Sequence, residues 1–487
     1  MTAQDNIQRA APDGSATATS NEPPDSRLAE AKRIYEHALD HHRAGRFDEA
    51  IKDYGRVLSL SPLSADVYNN LGVALRAAGR AHAAVACYRR ALALKPGVAG
   101  VYTNLGNALN DLGEAARAAE AHRRAVKFAP KSPKALLGAG VALRNIGQAA
   151  AALDHFNQAI KLEPTYALCR VEHATTLLQM GDWQRGFKEL EIRFALPGRD
   201  PRRKDLAAWN GSPLKGETIL INFEGSVGTA VQFARFASTL KHMNANVVME
   251  CPAHLAHLLS AAPDIDATLH TGAPLSGVPD HLPPVSAQVP LLSLPARLGV
   301  EVDKLPAESA YLSVPKFGGT TLDIHPETRL AVGLVWSGSW DGRQITGPAN
   351  AQDMVLEDFG EILGVPGLQV FSLERGAGAS DISRLGLQPL IQPVGASLMD
   401  AADLAVVIDQ LDLIICVDSP AAHIAGALGK PVWMLAGPGS DWSWLLDRTD
   451  SPWYPSMRLF RRELTERWTD TVSHVRKALM DVLKGDV

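Results

Sequence analysis

Between Arg27 and about Ala195 the chain repeats itself every 34 residues, and no other feature limits its fold so tightly. Prolines fall at Pro62, Pro96, Pro130 and Pro164, and glycines at Gly45, Gly79, Gly113, Gly147 and Gly181. Small residues keep the same beat at Ala50, Ala84, Ala118, Ala152 and Gly186, as does a second set at Ala38, Gly72, Gly106, Gly140 and Ala174. Four positions after the first set stand larger groups, Tyr54, Tyr88, His122, Phe156 and Leu190. Small residues let two helices cross closely, a large side chain fills the space beside the crossing, and a proline closes each pair. The spacing therefore predicts about five helix pairs, stacked into a right-handed superhelix with a concave face for a partner.

This pattern resembles the tetratricopeptide repeat. Asn70 and Asn104 share one position on the first helix of their pairs. In the repeats of the O-linked N-acetylglucosamine transferases, which the segment resembles, asparagines there grip a peptide backbone, and the resemblance nominates these two as acceptor-binding. The ladder is incomplete, because Glu36, Gly138 and Glu172 occupy the equivalent positions.

The 26 residues before the repeats hold almost no large apolar side chain and read as a disordered tail. Charged residues make up 21% of the chain and the net charge is −5, which argues against a general nucleic-acid or membrane-surface binder. No apolar run approaches the roughly 20 residues that a membrane helix needs. No secretory signal is read at the N-terminus, so the cytoplasm is the expected compartment. Cys87, Cys169, Cys251 and Cys416 lie far apart inside apolar patterns and read as buried free thiols, with no metal spacing.

Beyond the repeats the periodicity changes. Leu411 to Val417 is a short apolar, β-branched run suited to a strand buried on both faces. Ser419 follows as a helix cap with Pro420 at the first helical position, and Gly429 and Pro431 end that helix before a strand at Val432 to Leu435. The unit is strand, helix, strand. Its helix opens at a strand's carboxyl end, where unpaired N–H groups and the helix dipole favour an anion. A second such unit runs from the strand Thr218 to Phe223, through a turn at Glu224 to Thr229, to the strand Asn246 to Glu250. Further strands are expected at Leu330 to Val335 and Leu368 to Leu373, and a last helix at Thr471 to Leu483.

The stretch Asp418-Ser419-Pro420-Ala-Ala-His423-Ile-Ala-Gly-Ala-Leu-Gly-Lys-Pro431 resembles the nucleotide-sugar segment of glycosyltransferase family 9, the heptosyltransferase-like enzymes, in the bacterial branch that carries tetratricopeptide repeats. The resemblance covers most of residues 30–487. It implies an α solenoid followed by α/β, the latter a GT-B transferase of two Rossmann lobes: a tail at 1–26, repeats at 27–195, a linker at 196–215, an N-terminal lobe at 216–325 and a C-terminal lobe at 326–487. It also implies a nucleoside-diphosphate sugar as donor, a protein acceptor held by the repeats (flagellin or another surface protein), and neither metal nor other cofactor. Asp418, Ser419 and Pro420 are then donor-binding, and His423 catalytic.

Relatives carry an aspartate as acceptor-activating base where this chain has Thr229, which cannot accept a proton near neutral pH as a carboxylate does. Glu224, five residues earlier, is the candidate replacement, and Gly228 keeps its donor-binding position. Trp336, Ser337 and Gly338 match the family's donor loop, which then diverges, leaving Arg343 as its candidate cation. Glu374 and Arg375 stand at the strand end that often meets the nucleotide in this fold. Asp264-Ile-Asp266 has the spacing of metal-dependent transferases but follows a helix, where it reads as structural. The aromatic-rich tail from Asp441 to Arg461 reads as a clamp across both halves. An active transferase competes with a decayed one that serves as a scaffold or a nucleotide-sugar sensor, because Thr229 and the diverged loop both weaken the chemistry.

Overall fold

A computed structural model describes residues 24–200, 202–305, 310–316, 319–338, 354–376 and 378–485. The chain divides into two compact units, Met1–Cys169 and Arg170–Val487.

The first unit is a series of helical hairpins. They are α1 (Pro24–Arg43) with α2 (Phe47–Leu60), α3 (Ala65–Ala77) with α4 (Ala81–Leu94), α5 (Ala99–Asp111) with α6 (Ala115–Phe128), and α7 (Pro133–Asn145) with α8 (Ala149–Leu162). The small residues act as expected. A Cβ on Gly72 would lie 2.6 Å from the Tyr88 ring and one on Gly140 2.4 Å from Phe156, so only glycine lets these helices cross so closely. His122 takes the place of the aromatic in its repeat. It is pinched between Gly106 and Gly138, where added Cβ atoms would come within 2.4 and 2.5 Å of the imidazole.

Helix α9 (Ala167–Gln179) contains the division, and α10 (Trp183–Leu190) belongs to the second unit. The first sheet is built from β1 (Ala207–Ala208), β2 (Thr218–Asn222), α11 (Val227–Ala234), α12 (Phe236–His242), β3 (Asn246–Cys251), α13 (Ala253–Ser260), β4 (Ala267–His270), β5 (Val285–Pro290) and α14 (Leu294–Leu298). Its strands are parallel in the order β1-β5-β2-β3-β4. The stretch read as a linker thus supplies an edge strand, and Gln288 holds it by accepting from Arg203 N at 2.7 Å and donating to Leu206 O at 2.7 Å.

The second sheet uses β6 (Leu330–Val335), α15 (Gly360–Leu363), β7 (Leu368–Ser372), α16 (Ala379–Leu385), β8 (Ile391–Pro393), α17 (Ala401–Asp409), β9 (Leu413–Val417), α18 (Pro420–Ala427), β10 (Val432–Ala436), β11 (Met457–Arg461) and α19 (Trp468–Lys484). Its order is β11-β10-β9-β6-β7-β8, all parallel. Counted from β6 this is 6-5-4-1-2-3, the strand order of dinucleotide-binding folds, with its reversal between β6 and β9.

Described residues of both sheets pack together. One hydrophobic core contains Ile219 and Val247 of the first sheet and Ile414 and Cys416 of the second. The aromatic tail seals it. Trp453 stacks on Trp183 at 4.9 Å and on Phe233 at 5.6 Å between ring centres, and Trp442 packs edge-on against Phe187 at 5.4 Å. The clamp expected of this tail joins α10, the first sheet's helices and the second sheet's carboxyl edge.

Candidate functional site

The reversal point between β6 and β9 brings together the residues nominated on either side of it. Trp336, Ser337 and Gly338 leave β6, and Asp418, Ser419 and Pro420 leave β9. Ser419 is extended, and its hydroxyl accepts from Ala422 N at 3.4 Å, so it caps α18 as expected. Asp418 precedes the cap, one-third exposed.

Helix α11 arrives from the first sheet and meets α18 close to both N-termini. A Cβ on Gly228 would lie 2.5 Å from His423 Cδ2, so glycine is what lets the second residue of α11 touch the fourth of α18. Two positive helix ends therefore converge beside Asp418. Gln232 and Arg235 continue the Gly228 stripe, four and seven residues on. The Arg235 guanidinium is buried in an aromatic box, 4.7 Å from the Tyr311 ring centre and 5.6 Å from that of Tyr454, and it donates to Trp453 O. Gln232 Nε2 and Arg235 Nε are buried without a hydrogen-bond partner among the described residues.

His423 lies between two partners: Nε2 is 3.6 Å from Asp418 Oδ1, and Nδ1 is 2.9 Å from the Tyr454 hydroxyl. Asp441 completes the cluster. It accepts from Ser443 N at 2.9 Å, and its carboxyl is pushed up from the ordinary range, first by burial and then by the charge of Asp418. A proton held there removes one negative charge from the mouth of α18.

Other nominated residues are engaged elsewhere. The Glu224 carboxylate receives Arg193 Nε at 3.0 Å, Arg193 Nη2 at 2.7 Å and Leu292 N at 2.7 Å. Arg193 also donates to Glu191 and Ser293, at 2.8 Å each, and fills the reversal point of the first sheet between β2 and β5. Glu224 can take a proton from an acceptor only if this buried pair opens. Thr229 closes a capping box with Ser226, whose hydroxyl accepts Thr229 N at 3.1 Å, so its hydroxyl serves the helix end.

Glu374 turns inward. It is 1% exposed and accepts from Trp336 N and the Ser337 hydroxyl, both at 2.6 Å; burial raises its carboxyl to about 7. It holds the turn after β6. Arg375, next to it, is half-buried. Arg343 lies outside the described residues.

Asn70 and Asn104, nominated as acceptor-binding, are 0% and 4% exposed. Asn70 donates to the Tyr35 hydroxyl at 2.8 Å, and Asn104 donates to Asn69, itself bonded to Asn70. They form a ladder between helices, which a peptide reaches only if the helices part. Asp266 is taken by Lys241 and Val247 N, and no group of side chains suited to a metal occurs among the described residues.

Sequence reasoning passed over Arg193 and Tyr454. Arg193 was legible only as the point where the 34-residue beat fails, and Tyr454 only as one aromatic among several.

The family model for the tetratricopeptide repeat matches residues 35–99 and 103–167. The helical hairpins are tetratricopeptide repeats. Among curated proteins the chain is similar to Protein FlbA of Caulobacter vibrioides (strain ATCC 19089 / CIP 103742 / CB 15), with 26% identity over 338 residues, 65% of this chain and 55% of that protein. It thus spans about half the length of that relative. Solved structures similar to it include MamA (21% identity, 32% of this chain and 91% of that one, TM-score 0.30). Another is YrrB, described as a TPR protein with an unusual peptide-binding site (19%, 36% and 91%, TM-score 0.30). A third is a thermophilic TPR protein of Thermus thermophilus (19%, 35% and 93%, TM-score 0.31). No described helix is long and apolar enough to cross a membrane.

Proposed function

We propose that this protein is a docking scaffold whose repeats hold a protein partner and whose α/β unit binds a nucleoside-diphosphate sugar and passes the sugar to that partner. The repeats are a protein-interaction architecture. The finer reading rests on one observation: the N-termini of α11 and α18 converge at the reversal point of a sheet with dinucleotide-binding strand order.

In this reading the donor diphosphate lies at the mouth of α18, with Trp336 to Gly338 on its other side. The two lobes are those of a GT-B transferase, closed on each other by the aromatic clamp. An acceptor hydroxyl attacks the anomeric carbon, the bond from that carbon to the diphosphate breaks, and the diphosphate leaves with the electron pair. The hydroxyl's proton passes to His423, whose imidazolium Asp418 stabilises at 3.6 Å.

A second reading, binding without turnover, is favoured by the engagement of Glu224 with Arg193 and of Thr229 in its cap. One experiment separates them. The full chain is incubated with the partner it retains and a panel of nucleoside-diphosphate sugars, and the partner is weighed by mass spectrometry. A gain of one sugar residue that disappears in His423→Gln supports transfer; donor binding with no gain supports the sensor; binding of no donor overturns both.

A further inference from the structure

A cleft of about 890 Å3 runs along the same sheet beside β10 and β11, from Leu330 and Leu413 at the amino-terminal ends of β6 and β9 to Arg461 at the carboxyl end of β11, and Ser419 is not among its lining residues. Helix α19 packs beside β11, and its residues Thr471, His474 and Lys477 form one wall. Trp433 and Phe460 form the floor, with ring centres 5.4 Å apart. The Arg458 guanidinium lies over them, 4.5 Å from the centre of Phe460 and 5.8 Å from that of Trp433.

Three features point to one kind of ligand. Arg458 is stacked on the rings and makes no hydrogen bond to a carboxylate among the described residues, so the outer face of a planar cation is left for another flat ring. Lys477 and His474 are exposed beside it and bring further positive charge. Thr471 is 1% exposed, and its hydroxyl, in the wall of the cleft, has no hydrogen-bond partner among the described residues. A buried hydroxyl left without a partner costs free energy that a ligand oxygen recovers. Two carboxylates also line the cleft, Asp412 and Asp481. Asp412 is held by Ala331 N at 2.8 Å. The volume falls within the range of small-molecule sites, roughly 300–1,000 Å3.

We infer that this cleft binds a small anion carrying a flat ring, of the size of a nucleoside monophosphate, with the ring on Arg458 and the anionic group toward Lys477 and Thr471. The site is separate from the diphosphate reading of Ser419 and stands or falls independently of it.

The test is calorimetric titration of the full chain with adenosine 5′-monophosphate, adenosine and inorganic phosphate. Saturable binding of the monophosphate is expected, at least about tenfold tighter than either fragment, because stacking and charge act together. Arg458→Ala and Lys477→Glu, both at exposed positions, should each weaken it by about tenfold with unchanged thermal melting, whereas Ser419→Asp leaves it unaltered. Three results would overturn the inference: no saturable binding of the monophosphate, phosphate alone binding equally well, or binding that survives Arg458→Ala and is lost in Ser419→Asp.

Discussion

His122 gives the repeats an acid sensitivity that can be worked out beforehand. Its ring is 0% exposed, both nitrogens lack a hydrogen-bond partner among the described residues, and burial lowers its pKa from 6.5 to about 4. A folded-state pKa below the unfolded one means that the unfolded chain binds the proton more tightly. Stability is then full above about pH 6.5, falls as pH drops toward 4, and levels off below. The shift of about 2.5 units corresponds to about 3.4 kcal/mol in total, and to about 2 kcal/mol between pH 7.5 and pH 5. His122→Phe places at this position the side chain that Phe156 supplies in the next repeat, and it removes the titration. The assay is a urea melt of the full chain at pH 7.5 and pH 5. All nine tryptophans lie at Trp183 or later, so their fluorescence follows the second unit while far-ultraviolet circular dichroism also sees the repeats. The variant should lose about 2 kcal/mol less than the wild type on acidification, with an unchanged tryptophan transition. Equal acid sensitivity in both proteins would refute the reasoning. His42, also lowered to about 4 by burial, adds to the response of both proteins and cancels in the comparison.

Glu374→Gln should flatten the pH dependence of the second unit. The carboxyl's folded value of about 7 lies above its unfolded one, so its stabilising effect is present below about pH 4.5 and lost as pH rises through 7; at pH 8 the variant should be more stable by up to about 3 kcal/mol in a fluorescence-detected melt. Gly228→Ala drives a methyl group against His423, and a loss of about 1–3 kcal/mol in the same melt is expected. Arg193→Met leaves the Glu224 carboxylate without its cation in a site where the guanidinium is 6% exposed, while Glu191 keeps Arg297; a cost of about 3–5 kcal/mol is expected, and adding Glu224→Gln should restore part of that loss.

The repeats were legible because one period fixes crossing points, fillers and turns together, and Gly72, Gly106 and Gly140 meet Tyr88, His122 and Phe156 where the spacing placed them, whereas Gly186 meets Leu178. The unit around Ser419 was equally readable, since its cap, proline and closing glycine are local signals and the strand before it is uniformly apolar. Neither sheet's strand order nor the packing of α11 on α18 could be read, because both depend on contacts between residues some 200 positions apart, such as Gly228 and His423. The same limit explains Glu224. Its position at a strand end suggested chemistry, but its engagement is decided by Arg193, 31 residues earlier in a segment without periodicity. Asn70 and Asn104 were placed correctly along their helices, but the resemblance carried no information on depth. Tyr35 and Asn69 bury them.

The central claim is that the N–H groups at the start of α18 receive a diphosphate. Calorimetric titration of the full chain with a panel of nucleoside diphosphates, beside the Ser419→Asp variant, tests it most directly. Aspartate keeps the cap and adds a negative charge where the ligand's own charge would sit. The account predicts saturable binding of at least one diphosphate, weakened at least about tenfold by the substitution and strengthened as pH falls and Asp441 takes up its proton. Heat from none of them, or a binding curve that Ser419→Asp leaves unchanged, would contradict it.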